Sequence, residues 1–260
     1  MLEDISLSIV TFNNEDVIEN VLDNILDNIH NKLLFKIYII DNKSSDNTIQ
    51  IIKTKYNHID SINLIELNKN MGFGYGHNYV IDKLKSKYHV IVNPDITVES
   101  ETFERLFNFM ENNKDIALAS PDILFPNKER QYSCKQDPTI FDLFIRLFLP
   151  NFFKKRQNKY MMVSKNYDEI FDAPIVSGCF MFIRTSIFKK INGFDKKYFL
   201  YFEDFDLCKK IRNINERIVY YPHSKVFHEW KRESRKSLKV FLIMTKSTFI
   251  FFNKWGYKFI

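Results

Sequence analysis

An α/β fold, with a mainly parallel central sheet flanked by helices, is what the sequence predicts from three observations. Short apolar runs alternate with helix-period segments through the first half of the chain. The runs are almost continuously apolar, as strands covered on both faces are. Each run also ends in residues able to hydrogen-bond. Helical connections between such strands give parallel pairing with right-handed crossovers.

Residues 7–12 (LSIVTF) form the first strand, and Val17, Val21, Ile25 and Ile29 then recur every fourth residue as one face of a helix. Residues 35–40 (FKIYII) form the second strand, ending at Asp41, and the polar cluster 42–46 offers caps for a helix over 48–56. A third strand covers 62–67, a third helix continues over 79–84, and a fourth strand, 89–92 (HVIV), stops at Asn93-Pro94-Asp95. The stretch Gly72-Phe73-Gly74-Tyr75-Gly76 is not a dinucleotide fingerprint: it follows the third strand and has no acidic partner in the right place, so its glycines read as a tight turn. Two short strands are expected over 218–221 and 225–227.

In 260 residues, 45% apolar and 16% aromatic content supplies a sizeable core, while 27% charged residues exclude a wholly membrane-embedded chain. Cys134, Cys179 and Cys208 match no CxxC pattern, so neither a disulfide framework nor a zinc ribbon is expected, and a reducing cytosol fits. The start, Met-Leu-Glu-Asp, lacks the basic region of a secretory signal, and no apolar run reaches the length of a spanning helix. Residues 1–127 carry a net charge of −8 and residues 128–260 one of +14, so the second half attracts anions. A phosphorylated acceptor or an anionic membrane surface is the expected partner; no nucleic-acid signature is present, and none is expected to bind.

In such sheets ligands bind beyond the carboxyl ends of the strands. Thr11, Asp41, Asn68 with Asn70, and Asn93 with Asp95 stand there. Any one of them is explained by the turn preference of Asn and Asp; four together point to a site. The acids Glu203, Asp204 and Asp206 open a helical segment, where they either complement the helix dipole or, behind the aromatic run 198–202, sit in a partly dry pocket that raises their pKa toward that of a base. His228, at a strand end between Phe227 and Glu229, is either structural or a ligand. Cys179 and Cys208 read as small core residues.

These residues, in order, resemble the family 2 glycosyltransferases with the GT-A fold, in the bacterial rhamnosyltransferase-like branch. The likeness is carried by Ser8-Ile9-Val10-Thr11-Phe12-Asn13, Asp41-Asn42-Lys43-Ser44-Ser45-Asp46, Asn68 to Gly74 with Asn78, Asn93-Pro94-Asp95, Ser177-Gly178-Cys179-Phe180, Gly193-Phe194-Asp195, Tyr201 to Cys208, and His228. The resemblance implies transfer of a sugar from a nucleotide diphosphate to an acceptor hydroxyl with inversion. It places Thr11, Asn13, Asp41, Asn42, Ser44, Asn70, Gly72, Asn78, Asn93 and Asp95 around the nucleotide sugar. Asp95 and His228 would hold Mn²⁺ or Mg²⁺, Asp204 would be the catalytic base, and Glu203 would position it or stand in for it. Where the metal motif usually reads DxD this chain has Asn93, which adds no charge and leaves the metal requirement open.

The expected layout is one transferase domain over 1–230, with a nucleotide-sugar half (1–112) and an acceptor half (113–230), then a helical tail (231–260). Residues 140–153, followed by Lys154-Lys155-Arg156, and residues 238–260 combine bulky apolar surface with lysines. They read either as core helices or as helices lying on a membrane. The expected protein is cytoplasmic, on the inner membrane face, with dTDP-rhamnose as donor and a glycan or polyprenyl-diphosphate-linked acceptor. A UDP-hexose or UDP-galactofuranose donor is the nearest rival. From other classes, a sugar-nucleotide pyrophosphorylase would need a basic Gly-rich loop where Asn13-Asn14-Glu15-Asp16 stands, and Asn93 leaves room for a catalytically silent binding subunit.

Overall fold

The computed structural model describes residues 2–29, 33–229 and 237–260. Its strands are β1 (Ile5–Thr11), β2 (Phe35–Asp41), β3 (Ile62–Glu66), β4 (Tyr88–Val92), β5 (Ile96–Val98), β6 (Ile116–Leu124), β7 (Phe171–Asp172), β8 (Phe180–Arg184) and β9 (Arg217–His228). The helices are α1 (Ile18–Ile29), α2 (Thr48–Tyr56), α3 (Phe73–Asn78), α4 (Thr102–Asn112), α5 (Ile140–Phe148), α6 (Lys154–Tyr160), α7 (Thr185–Lys190), α8 (Glu203–Asn213) and α9 (Leu238–Trp255).

All the strands join one sheet in the order β3-β2-β1-β4-β8-β6-β9-β5, with β7 also on β9. The β3-β2-β1-β4 portion is parallel, as the helical connections require. Beyond β4 the sheet becomes mixed: β8 is antiparallel to both β4 and β6, β9 is parallel to β6, and β5 and β7 are antiparallel to β9. The parallel character is thus a property of the first half.

One core lies on each face. Ile5, Leu7 and Ile9 of β1 pack with Ile18, Val21, Leu22 and Ile25 of α1, the helical stripe that the four-residue recurrence specifies. The alternate β1 residues reach the other face, where Ser6 and Ser8 are buried and Val10 joins the second core. Those serines are satisfied by histidine: Ser6 Oγ lies 2.8 Å from His89 Nδ1, Ser8 Oγ lies 2.8 Å from His89 Nε2, and Ser8 Oγ lies 2.6 Å from His77 Nδ1.

Three local expectations need correction. The third helix is α3, built on the glycine stretch, and only a 3₁₀ turn (Ile81–Lys83) follows where a helix over 79–84 was expected. Glycine lowers helix propensity, but packing wins here: a Cβ on Gly74 would stand 2.7 Å from the Phe194 Cβ, and one on Gly76 would stand 2.7 Å from a Val10 methyl. The strands expected over 218–221 and 225–227 are one strand, β9, whose register against β6 shifts between Pro121 and Asp122. Residues 140–153 are not one helix: α5 stops at Phe148, ahead of Pro150, and a separate α6 follows.

The C-terminal helix is fastened to α8. Trp255 Nε1 donates to Asp206 Oδ1 at 2.7 Å, Lys254 Nζ donates to Asp206 and Asp195, and Ser247 Oγ donates to the Leu200 carbonyl. The boundary expected at about residue 230 lies outside the described residues.

Candidate active site

At the carboxyl ends of β1 and β2 the polar residues hold one another. Thr11 Oγ1 donates to Asp41 Oδ1 at 3.0 Å, and Asp41 also accepts from the Ser44 amide and hydroxyl. Asn13, in the left-handed region at φ 56°, donates its amide to Ser44 Oγ and accepts from the Ser45 amide. Asn42 bridges to the next loop: its Nδ2 donates to the Gly72 carbonyl and its Oδ1 accepts from the Met71 amide. Asn70 Oδ1 accepts from the Gly72 amide at 2.9 Å.

Gly72 closes that loop at φ 90° and ψ 177°, a conformation reserved for glycine. A Cβ there would lie 2.2 Å from the Phe199 carbonyl oxygen, and the same carbonyl accepts from the Phe73 amide. Asn78 faces away from this loop: its amide group exchanges two hydrogen bonds with the Phe194 backbone, both 2.8 Å, so it fixes the Gly193-Phe194 turn with its side-chain donor and acceptor already used.

Asn93-Pro94-Asp95 is a β-turn between β4 and β5, with the Ile96 amide donating to the Asn93 carbonyl and proline second, where its fixed φ suits the turn. The β5–β9 pairing sets His228 opposite Ile96, which brings His228 beside Asp95; Nε2 and Oδ1 are 3.4 Å apart. Gln131 fixes the imidazole from behind, its Oε1 3.2 Å from His228 Nδ1, while its Nε2 donates to the His228 carbonyl. Burial pulls the His228 pKa down, but Cys179 and Asp95 outweigh it and raise it to about 10. Cys179 thus acts on His228 electrostatically as well as filling the core, a coupling of which sequence spacing gave no sign.

With the imidazole proton displaced, since only a neutral ring ligates, the Asp95–His228 pair fits a divalent cation on two grounds. Asp95 Oδ1 is buried without a hydrogen-bond partner, and a carboxylate oxygen with an imidazole nitrogen is a donor set for Mn²⁺ or Mg²⁺. Among the described residues no cluster of three His, Cys, Asp or Glu could hold a metal, so these two would need ligands from a diphosphate or water.

The carboxylates at the head of α8 follow a strained entry. Tyr201 and Phe202 both have φ of 68°, a left-handed pair costing on the order of 1–3 kcal/mol each. Asp204 Oδ2 accepts from the Gly178 amide at 3.1 Å, and the next residue, Cys179, accepts from the Asn93 amide at 2.8 Å. Two adjacent residues thus join the acid to the turn that carries Asp95, and Asp204 Oδ2 lies within about 13 Å of the Asn93 nitrogen by chain geometry. Gly178 leaves the space for this: a Cβ there would meet the Asp204 Cβ at 3.1 Å.

Glu203 and Asp204 differ in environment. Glu203 is 6% exposed with Oε2 unpartnered, and burial followed by the Asp204 charge raises its pKa to about 8. Asp204 is the more open of the two; burial raises its pKa as well, while the Lys135 ammonium and the Gly178 amide pull it down. Asp206, fully buried, is committed to Trp255 and Lys254 and cannot serve a substrate. The acids are therefore not a plain helix-dipole complement: one faces Gly178, one is isolated, and one anchors the C-terminal helix. The charge of Lys135 acting on Asp204 was not legible in the sequence, because nothing local singles that lysine out.

The family described as glycosyl transferase family 2 matches residues 6–192, and one described as the N-terminal domain of galactosyltransferase matches residues 158–232. The chain is 29% identical over 256 residues to the rhamnosyltransferase WbbL of Escherichia coli, covering 94% of this chain and 91% of that protein. It is 24% identical over 230 residues to the N-acetylglucosaminyl-diphospho-decaprenol L-rhamnosyltransferase of Mycobacterium tuberculosis, covering 83% of this chain and 73% of that protein. Among solved structures, it resembles GalNAc-T7 with UDP, GalNAc and Mn²⁺ at a TM-score of 0.66 and 16% identity, over 89% of this chain and 44% of that one. S. aureus TarS in complex with UDP-GlcNAc gives 0.65 at 16% identity, over 96% of this chain and 67% of that one. These likenesses show the GT-A fold. With the family match spanning most of the sequence, they make the chain a member of glycosyl transferase family 2, a rhamnosyltransferase-like glycosyltransferase.

Proposed function

We propose that this glycosyltransferase moves rhamnose from dTDP-rhamnose to a lipid-linked glycan acceptor during cell-surface polysaccharide synthesis, inverting the anomeric carbon. The observation that carries the chemistry is the link from Asp204 through Gly178 and Cys179 to the turn bearing Asp95. It ties a carboxylate, its pKa raised by burial, to the turn that carries the candidate cation ligand Asp95. Asp204 takes the proton of the acceptor hydroxyl as that oxygen attacks. Burial and the Asp204 charge raise the Glu203 pKa, which disfavours a second negative charge beside that base. Thr11, Asn13, Asp41, Asn42, Ser44, Asn70, Gly72 and Asn93 shape the nucleotide side.

Asp95 and His228 would hold a divalent cation, which would supply positive charge opposite a departing diphosphate; GalNAc-T7 with Mn²⁺ is the supporting neighbour. The donor sugar rests on the near full-length likeness to WbbL, and the lipid diphosphate on the name of the mycobacterial relative. Among the described residues no helix is long and apolar enough to cross a membrane. The lipid-linked acceptor of the mycobacterial relative is what supports a peripheral position on the cytoplasmic face.

The test is nucleotide diphosphate release from dTDP-rhamnose, UDP-glucose and UDP-galactofuranose, each with and without an N-acetylglucosaminyl-diphospho-polyprenol acceptor. Acceptor-stimulated release from dTDP-rhamnose alone supports the reading. Stimulated release from a UDP-sugar replaces the donor, and no release from any donor removes the proposed reaction.

A further inference from the structure

A cavity of about 640 Å³ opens between α5 and α9. Its wall is apolar, with Leu143, Phe148, Met244 and Phe252 among the lining side chains, and Phe202 and Phe205 close it on the α8 side. Those two phenylalanines flank Glu203 and Asp204 in sequence, so the cavity wall and the candidate catalytic carboxylates share the first turn of α8. Its charged lining is cationic, Lys135 and Arg146, and no acid is among the described residues that line it.

Lys135 connects the cavity to the site. Its backbone pairs with Ile175, three residues before Gly178, and its ammonium lies 5.3 Å from the Phe205 ring centre. Its charge also reaches Asp204, whose pKa it lowers against burial. Three of the lining side chains form a greasy rim: Phe144, Phe148 and Phe249 are each more than two-fifths exposed. Apolar volume, two cations in its lining and exposed aromatic side chains along it complement a lipid whose polar head is a diphosphate.

We propose that the α5–α9 cavity binds the head-proximal isoprenoid segment of a diphosphate-linked acceptor, with Lys135 meeting the diphosphate so that the attached sugar reaches Asp204. This rests on the lipid-linked acceptor reading and adds where the acceptor's non-sugar part is held. The cavity lies within the usual range for small-ligand sites, large enough for the first isoprene units, while the rest of the chain leaves past the aromatic rim. Arg146 adds a second cation on the same wall.

Equilibrium dialysis of the full chain with labelled farnesyl diphosphate tests this without requiring turnover. Farnesyl diphosphate is expected to bind at least tenfold more tightly than inorganic pyrophosphate or farnesol, and excess UDP is expected not to displace it. Lys135→Ala and Leu147→Glu, the latter an acid placed at a half-exposed cavity position, are each expected to weaken it at least fivefold with melting temperatures kept. Equal binding of pyrophosphate, displacement by UDP, or two folded variants that bind as the parent does would overturn the assignment. A protein that transfers sugar to a lipid-free acceptor but does not bind farnesyl diphosphate loses the cavity's role and keeps the transferase. Failure of both removes the acceptor reading itself.

Discussion

Asp204 accepts a hydrogen bond from the amide of Gly178 at 3.1 Å. This contact explains how two distant parts of the chain make one site. Gly178 and Cys179 lead into β8, which lies antiparallel on β4, and Asn93 follows β4 directly. The sheet therefore delivers the α8 carboxylate and the Asn93-Pro94-Asp95 turn to the same edge.

Gly72→Ala should cripple nucleotide binding and lower stability. The substitution forces a Cβ into a φ of 90° and against the Phe199 carbonyl, at 2.2 Å. The backbone strain alone is on the order of 1–3 kcal/mol. Thermal melts together with UDP and dTDP titration check this; a variant that melts and binds as the parent does would show that the loop relaxes freely.

As pH drops below about 6.5, the ordinary histidine value, His77 and His89 should each pull stability down, against Glu203, which burial raises to about 8 and which takes up its proton in the folded state. Burial holds His77 well below its usual pKa, and holds His89 down to about 3. The folded state keeps both neutral, while the unfolded chain takes up protons below about 6.5, so acid favours unfolding. Each histidine contributes up to about 1.4 kcal/mol per pH unit in that window. Urea melts between pH 7 and pH 5 measure the slope, and His89→Asn should reduce it; an unchanged slope would show that His89 does not provide the linkage.

Trp255→Phe should loosen the C-terminal helix. The indole is one of the donors to fully buried Asp206, and leaving such an acceptor short of a partner costs roughly 1–3 kcal/mol. Hydrogen exchange across residues 238–255 would report the loss as faster exchange there than in the β3-β2-β1-β4 region.

Much of this was legible because the first half obeys local rules. The β1 to β4 strands, α1 and the polar strand ends follow from periodicity and from turn residues such as Asp41 and Pro94. The rest depends on contacts that no local pattern carries. The glycines of α3 read as a turn because their value lies in what a Cβ would strike, Val10 and Phe194. Strand β6 was hidden by Pro121 and Asp122, which sit at a register shift. The His228–Cys179 and Lys135–Asp204 couplings arise only once the sheet is assembled. Asn78, legible as a motif residue, is spent on holding Phe194.

His228→Ala should raise the Mn²⁺ concentration needed for half-maximal turnover by roughly 10- to 100-fold, the scale on which losing a supporting partner acts. Activity measured after chelation and stepwise Mn²⁺ return gives the midpoint. Full activity after exhaustive chelation of the parent enzyme would instead show that Asp95 and His228 serve without a cation.

The most direct measurement is turnover of Asp204→Asn alongside the parent, with nucleotide affinity and melting temperature recorded on the same preparations. The amide keeps an acceptor for the Gly178 amide but cannot take a proton, so turnover should fall by about 10²–10⁴-fold, the usual worth of a positioned general base, while UDP or dTDP binding and the melt stay near parental values. Turnover within a few fold of the parent, in a folded and nucleotide-binding variant, would contradict the account.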